Sequence, residues 1–191
     1  MSFSNIVIIV SLIIWLFPVF RQYKSNLFYY FFILALEDPI VYVTFIFTNI
    51  PVTVIHSIAG ILLFYAVDKD WKNIFKNRIM NLILIGGFLV ALFTLSNLMF
   101  LILTLHLLIL SKFIKYIIIR LFNFSEINCF YFILIFYELT ILINLIVLLS
   151  GTNVGYLLHY ITAAFQMLVA IFFIIFKEDS QLLKISLKPA T

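Results

Sequence analysis

Seven apolar stretches, each about as long as a lipid bilayer is thick, follow one another along the 191-residue chain. An α-helix needs about 20 such residues to cross the hydrocarbon core. The composition agrees, since 65% of the residues are hydrophobic and only 10% are charged. We predict an all-α polytopic bundle of seven transmembrane helices, a single domain over 1–191 with the lipid bilayer as its partner. The helices are expected at roughly 5–20, 27–47, 51–67, 79–95, 97–118, 127–149 and 154–176.

The basic residues predict how the bundle is oriented. All 12 Lys and Arg fall at or near every second connection between the stretches, or in the C-terminal tail. The turn Thr48–Pro51 and the segment 150–155, which belong to the other set of connections, carry none. Basic residues are retained on the cytoplasmic side of a membrane. We therefore expect the N-terminus outside and the C-terminus inside, in the cytoplasmic membrane of a bacterium, and no nucleic-acid partner.

An internal repeat is the second prediction. Helices 1–3 and 5–7 align in the same orientation, with Glu37 matching Glu138 and His56 matching His159. Ionisable residues are rare in these stretches, so these matches mean more than those among Phe, Ile and Leu. We predict a parallel 3+1+3 repeat, divided into repeat A at 1–68, a linker helix at 79–95, repeat B at 96–177 and a tail at 178–191.

This layout, with the N-terminus outside, resembles that of the SWEET and PQ-loop transporters. The resemblance covers nearly the whole chain, and it implies a pseudo-twofold axis along the membrane normal. It is a resemblance of architecture and transfers no residue roles. The Pro-Gln dipeptide is absent, because Pro18 is followed by Val19. The spacing from Glu to the following His is also similar to that of uncharacterised short seven-helix bacterial membrane proteins, which implies no function.

The candidate site consists of Glu37, His56, Glu138, His159 and Asp38. At 1.5 Å per residue, Glu37 is expected about 15 Å along its helix, near the bilayer midplane. An ionisable group in hydrocarbon costs about 2.5–3.5 kcal/mol on insertion scales, so these groups should face protein or water. We expect each Glu to meet the following His within one repeat. Asp38 points about 100° away from Glu37, and is either a second pathway residue or faces another helix.

Several interpretations of the Glu–His pairs stay open. Each pair is either an inert polar contact between helices or part of a cavity that binds a solute or relays protons. A zinc or iron site of two Glu and two His, or haem ligation by His56 and His159, is a further alternative. Because no compact ligand motif is present, we predict no metal and no cofactor. His106 has no match in the repeat and is interpreted as a packing residue.

Motifs for enzyme chemistry are missing from the sequence. It has no catalytic serine motif, phosphate loop or HExxH, and Cys129 is the only cysteine. This pattern favours a function other than catalysis. We predict a transporter of a small solute or protons through a midplane Glu/His cavity. The alternative is a non-catalytic membrane subunit or sensor that acts through a partner membrane protein, and homo-oligomer formation is also open.

Overall fold

The structure is a computed structural model that describes residues 3–68, 78–93, 95–151 and 155–187. This part of the chain contains seven α-helices, as predicted, and two very short β-strands. The helices are α1 (Phe3–Arg21), α2 (Phe28–Phe47), α3 (Val52–Ala66), α4 (Arg78–Ala91), α5 (Leu95–Phe124), α6 (Cys129–Leu149) and α7 (Gly155–Ile175), and the strands are β1 (Glu126–Asn128) and β2 (Lys184–Ser186).

The helix bounds follow the apolar stretches closely, and α5 is the exception. The sequence predicts its end near residue 118, whereas the helix continues to Phe124. Its 30 residues extend about 45 Å at 1.5 Å per residue. A hydrocarbon core is about 30 Å thick. The last turns of α5, which carry Lys115 and Arg120, therefore extend beyond the apolar layer that the other helices define.

Three of the described helical segments are long and apolar enough to cross a membrane, namely Phe28–Phe47, Asn97–Phe124 and Cys129–Leu149. Four further apolar segments are shorter. Large apolar side chains also cover the outer surface of the bundle, among them Phe47, Phe93 and Phe122. Water-soluble monomers rarely expose contiguous apolar patches larger than a few hundred Å². These features are those of a helical membrane protein.

Six of the helices form a closed ring. Neighbouring contacts run in the order α1, α2, α3, α5, α6 and α7, and α7 packs back on α1. The remaining helix, α4, packs against α5, and its Asn81 accepts a hydrogen bond from Tyr65 at the end of α3. Leu84 and Ala91 are the buried residues of α4, so this helix lies at the periphery of the ring.

The two ends of the ring differ in charge. At one end, Gln22 after α1 bonds to the last turn of α7, and Lys112 of α5 bonds to Asp68 after α3. We call this the basic end, because the described Lys and Arg residues lie there. It is where α1, α3, α5 and α7 finish and where α2, α4 and α6 begin. The opposite end contains the turn Thr48–Pro51.

The half of the ring next to the basic end is filled by aromatic side chains. Tyr30, Phe31, Phe113, Phe130 and Phe173 come from four helices and are all fully buried. The ring centroids of Phe31 and Phe173 are 4.8 Å apart, and those of Phe130 and Phe173 are 4.9 Å apart. Tilted and edge-to-face pairs at such distances are favourable packing contacts. We call this set the aromatic core. A separate opening of about 290 Å³ lies beside it at the basic end, between Phe113, Tyr131 and Lys115.

The segment after α7 contains secondary structure of its own. Within the predicted tail at 178–191, Gln181–Leu183 form a single 3₁₀ turn. β2 then pairs with β1 in antiparallel register, with Ile127 opposite Ile185. Residues 188–191 lie outside the described part of the chain. This three-residue ribbon is the departure from an all-α fold, and it fastens the C-terminal segment to the start of α6.

Candidate functional site

Glu37 and His56 form the first element of the candidate site, and their predicted contact is present. Nδ1 of His56 lies 2.6 Å from Oε1 of Glu37. α2 and α3 are antiparallel neighbours joined by the turn Thr48–Pro51, which brings their facing side chains together. Glu37 lies deeper from this turn than His56, and the two side chains meet between these depths. The side chains are 14% exposed for Glu37 and 34% exposed for His56. The pair is therefore accessible rather than sealed.

The space beside this pair is a cavity of about 410 Å³ at the centre of the ring. We call it the central cavity. It lies towards the end opposite to the basic end, since its walls come from the later part of α2 and α6 and the earlier part of α3 and α5. Its polar lining residues are Glu37, Asp38, Thr53, His56, His106, Tyr137, Asn144 and Gln166. A concave site with several convergent polar groups is the usual form of a small-molecule site.

Glu138 belongs to a second polar cluster, directly behind the cavity wall. It is fully buried, and both of its carboxylate oxygens have partners. The Tyr30 hydroxyl donates a hydrogen bond to Oε1, and Nδ1 of His106 lies 2.8 Å from Oε2. His106 also lines the central cavity. This side chain therefore connects the cavity to a carboxylate that does not itself contact it.

His106 and Tyr30 are the site residues that the sequence analysis misses. The sequence predicts His159 as the partner of Glu138. His159 lies in α7, but its side chain is outside the part of the chain that the structure describes. The signal for His106 is its position, because an ionisable residue in the middle of an apolar helix needs a partner. Because His106 has no counterpart in the predicted repeat, the sequence analysis does not assign it to the site.

Asp38 occupies a different environment from Glu37. It lines the central cavity and also a second cavity of about 450 Å³ between α1, α2 and α7. Its side chain is exposed. Among the described residues it has no hydrogen bond or ion pair. Asp38 is therefore a carboxyl group that the two cavities share.

The basic end is closed by a second polar assembly around Glu178, which follows α7. Oε2 of Glu178 accepts hydrogen bonds from the backbone N–H groups of Asn26 at 2.9 Å and Leu27 at 3.3 Å. Oε1 accepts from Nδ2 of Asn26 at 3.1 Å and from the hydroxyl of Tyr131. A carboxylate is well placed at the start of α2, because the first N–H groups of a helix have no partner within it.

Two amides extend this assembly. Nε2 of Gln22 donates to the carbonyl oxygens of Phe173 at 3.0 Å and Phe176 at 2.8 Å. The N–H of Glu178 donates to Oε1 of Gln22 at 3.1 Å, and Nδ2 of Asn128 donates to the carbonyl oxygen of Glu178 at 3.0 Å. We call the assembly the Glu178 network; its side chains are those of Gln22, Asn26, Asn128, Tyr131 and Glu178. It joins the α1–α2 turn to α6 and α7.

The chemistry available at the site is proton exchange and hydrogen bonding. A carboxylate and an imidazole within hydrogen-bond distance can pass a proton between them without a large movement. The site holds two such contacts, one in the cavity wall and one behind it. Within residues 3–68, 78–93, 95–151 and 155–187, no three His, Cys, Asp or Glu side chains converge in a way that would hold a metal ion.

Comparisons of this chain with protein-family models, with curated proteins and with solved structures find no match. Relatives therefore assign no role to any residue of the site. The functional interpretation depends on the geometry of the central cavity, of the two carboxylate–imidazole contacts and of the closed basic end.

Proposed function

We propose that this protein is a small integral membrane transporter that moves a small solute or protons through the central cavity. The observation that carries the proposal is the difference between the two halves of the ring. The half containing Glu37 and His56 holds a cavity of about 410 Å³. The other half is filled by the aromatic core and tied together by the Glu178 network. A polar cavity that opens in one half of the ring, with a packed aromatic layer beneath it, is what alternating access requires.

The charge distribution supports a defined orientation of this transporter. The described basic residues lie at the basic end, and cytoplasmic ends of membrane proteins are enriched in Lys and Arg. With the basic end on the cytoplasmic side, seven crossings put the N-terminus outside the cell. The membrane is then the cytoplasmic membrane of a bacterium. The central cavity then belongs to the external half of the protein, and the aromatic core belongs to the internal half.

The order of the helices in the ring supports the parallel 3+1+3 repeat. A twofold rotation that carries α1, α2 and α3 onto α5, α6 and α7 converts the α1–α2 contact into α5–α6. It likewise converts α2–α3 into α6–α7 and α3–α5 into α7–α1. All six contacts occur. The polar pairs follow the symmetry only in part, because Glu37 pairs across to α3 while Glu138 pairs across to α5.

A proton path through the site follows from the contacts. Glu37 and His56 exchange protons with water in the central cavity. His106 takes up a proton from that cavity and passes it to Glu138, whose Oε2 is 2.8 Å from His106 Nδ1. Tyr30 bonds to the other oxygen of Glu138 and belongs to the aromatic core. Glu138 is therefore the deepest proton-binding group on this path, at the boundary between the cavity and the sealed half.

The test is transport by the purified protein in liposomes. We would load proteoliposomes with the pH-sensitive dye pyranine and impose a potassium diffusion potential with valinomycin. Proton flux is measured alone and with external sugars, amino acids or organic cations. We expect Glu37→Gln to reduce flux at least about tenfold, as is typical when a group that transfers protons is lost. Glu126→Gln, the same change in β1, is the matched control and should transport like the unmodified protein.

Equal proton flux in the Glu37→Gln, Glu138→Gln and Glu126→Gln proteins would reject the proposed roles of Glu37 and Glu138 in proton transfer.

The alternative function, a non-catalytic subunit or sensor, is favoured by one feature. α4 exposes large apolar residues such as Ile79, Leu82 and Val90, and either lipid or a partner helix covers this surface. Proteoliposomes without flux, together with a stable complex recovered from native membranes, would support that alternative.

A further inference from the structure

The second cavity, between α1, α2 and α7, is a groove with mostly apolar walls. We call it the lateral groove, and its volume is about 450 Å³. Its apolar lining includes Leu12 and Phe45, and its polar lining consists of Ser11, Asp38, Tyr42 and Gln166. It lies in the same half of the ring as the central cavity, near the turn between α2 and α3. The groove is large enough for a molecule well above the size of water.

The lateral groove and the central cavity meet at two side chains. Asp38 and Gln166 each line both of them. Asp38 lies next to Glu37 in α2, and Gln166 lies across from it in α7. These two side chains therefore belong to the wall that the groove shares with the cavity of the Glu37–His56 pair. Both are polar, so the shared wall is hydrophilic although most of the groove lining is apolar.

The junction contains a carboxyl group without a bonded partner. Asp38 has no hydrogen bond or ion pair among the described residues, and the described part of the groove lining contains no Lys, Arg or His. His56, in the adjoining cavity, is bound to Glu37 at 2.6 Å. A carboxylate at membrane depth is costly without a partner. A cation in the groove supplies that partner, and the ring of Tyr42 adds a face on which a cation binds favourably.

We propose that the lateral groove binds small organic cations with an apolar body. The charged group lies beside Asp38, and the apolar part lies along Leu12 and Phe45. From there the cation enters the central cavity past Asp38 and Gln166. This inference names a substrate class for the proposed transport function and rests on it for the second step, although binding in the groove does not depend on transport.

The binding test uses two ions of the same shape and opposite charge. The full-length protein in nanodiscs is equilibrated by dialysis against tetraphenylphosphonium or tetraphenylborate, with empty nanodiscs subtracted. We expect saturable binding of the cation, at least about tenfold tighter than that of the anion. Asp38→Asn should weaken cation binding by about tenfold or more, and the control Glu126→Gln should not. Equal binding of the two ions, or an unchanged Asp38→Asn protein, overturns the proposal.

Two further variants separate the groove from transport. Ala163→Phe places a large side chain in the lateral groove, and should abolish binding of tetraphenylphosphonium while pyranine-detected proton flux continues. Asn144→Phe fills the central cavity, and should abolish flux while binding persists. Cation binding that is unaffected by Ala163→Phe overturns the groove as the site. Cation binding without flux in any protein, including the unmodified one, rejects the transport function and leaves the binding site standing. Size-exclusion profiles confirm that each variant is folded.

Discussion

Loss of the carboxylate of Glu178 should destabilise the whole bundle, although this residue lies beyond the last helix. Its side chain is buried, with 5% exposure, and four donors from three residues converge on its two oxygens. In Glu178→Gln one oxygen becomes an NH₂ group. If the amide oxygen keeps the backbone N–H groups of Asn26 and Leu27, the NH₂ group faces Nδ2 of Asn26 and the Tyr131 hydroxyl. These two donors lose their acceptor and must turn to accept instead.

The magnitude follows from those two donors. A buried donor left without a partner costs about 1–3 kcal/mol. The Tyr131 hydroxyl and the Asn26 amide can turn an acceptor towards the new NH₂ group, so values near the lower part of the range apply. We expect Glu178→Gln to lower the free energy of unfolding by about 2–4 kcal/mol. The measurement is a reversible SDS titration in mixed micelles, followed by the loss of helical circular dichroism.

The next residue in the chain provides the matched control. The Asp179 side chain is 73% exposed, and its contact with Lys177 spans 4.0 Å. Exposed ion pairs of this kind are worth about 0–1 kcal/mol. Asp179→Asn removes the same charge one position further on and should leave the unfolding free energy nearly unchanged. Equal effects of Glu178→Gln and Asp179→Asn would refute the role of the Glu178 network in closing the basic end.

Two other predictions concern packing and buried charge. A Cβ added at Gly60 would lie 3.2 Å from Cδ1 of Leu105, whereas one added at Gly86 would meet nothing within 4 Å. Gly86→Ala should therefore stabilise the protein by up to about 1 kcal/mol through helix propensity, and Gly60→Ala should gain less or lose stability. His106→Leu leaves the buried Glu138 without its imidazole partner and should cost about 1–3 kcal/mol of unfolding free energy.

The outcomes that contradict these two predictions are specific. Equal stability changes at Gly60 and Gly86, in the same SDS titration, would show that α3 and α5 do not approach closely at Gly60. His56→Leu is the control for His106→Leu, because its partner Glu37 is 14% exposed and Glu138 is 0% exposed. Water can solvate Glu37 after the substitution, so His56→Leu should cost less. A larger loss of unfolding free energy in His56→Leu than in His106→Leu would contradict the deeper burial of Glu138 relative to Glu37.

The sequence predicts the number and the places of the helices because their signal is local. Each apolar stretch must be long enough for a bilayer, and the polar connections separate them. The contact between Glu37 and His56 is predictable for a similar reason. The turn Thr48–Pro51 is short, so α2 and α3 must be antiparallel neighbours. Side chains on the facing sides of these two helices, such as Glu37 and His56, then come within reach of one another.

The partner of Glu138 is harder to predict, because the sequence places a long connection, 119–126, between the helix of His106 and that of Glu138, whereas the structure has only 125–128 between them. The register between α5 and α6 depends on where α5 ends, and it continues to Phe124 rather than to the predicted residue 118. Six more helical residues lengthen α5 by about 9 Å. An apolar pattern alone gives no signal for that end, since Phe and Ile continue well past the predicted boundary.

The closure of the basic end is also missed from the sequence. Glu178 and Gln22 are 156 positions apart, and neither belongs to a motif. Charged residues after the last apolar stretch are normally solvated, so nothing in the sequence indicates that Glu178 is buried. The three-residue strand β2 is too short to give a periodic signal. Only the packing of α7 against α1 brings these groups together.

The most direct test of a water-filled cavity in the external half is the labelling of engineered thiols from one side of the membrane. Cys129 is first replaced by Ala, because it is the only native cysteine. Asn144→Cys then places a thiol in the central cavity, and Leu134→Cys places one in the sealed core of the same helix. A membrane-impermeant thiosulfonate is added to the external side of intact cells. We expect rapid labelling of Asn144→Cys and almost none of Leu134→Cys. Labelling of Asn144→Cys only from the cytoplasmic side, or no faster than Leu134→Cys, would contradict it.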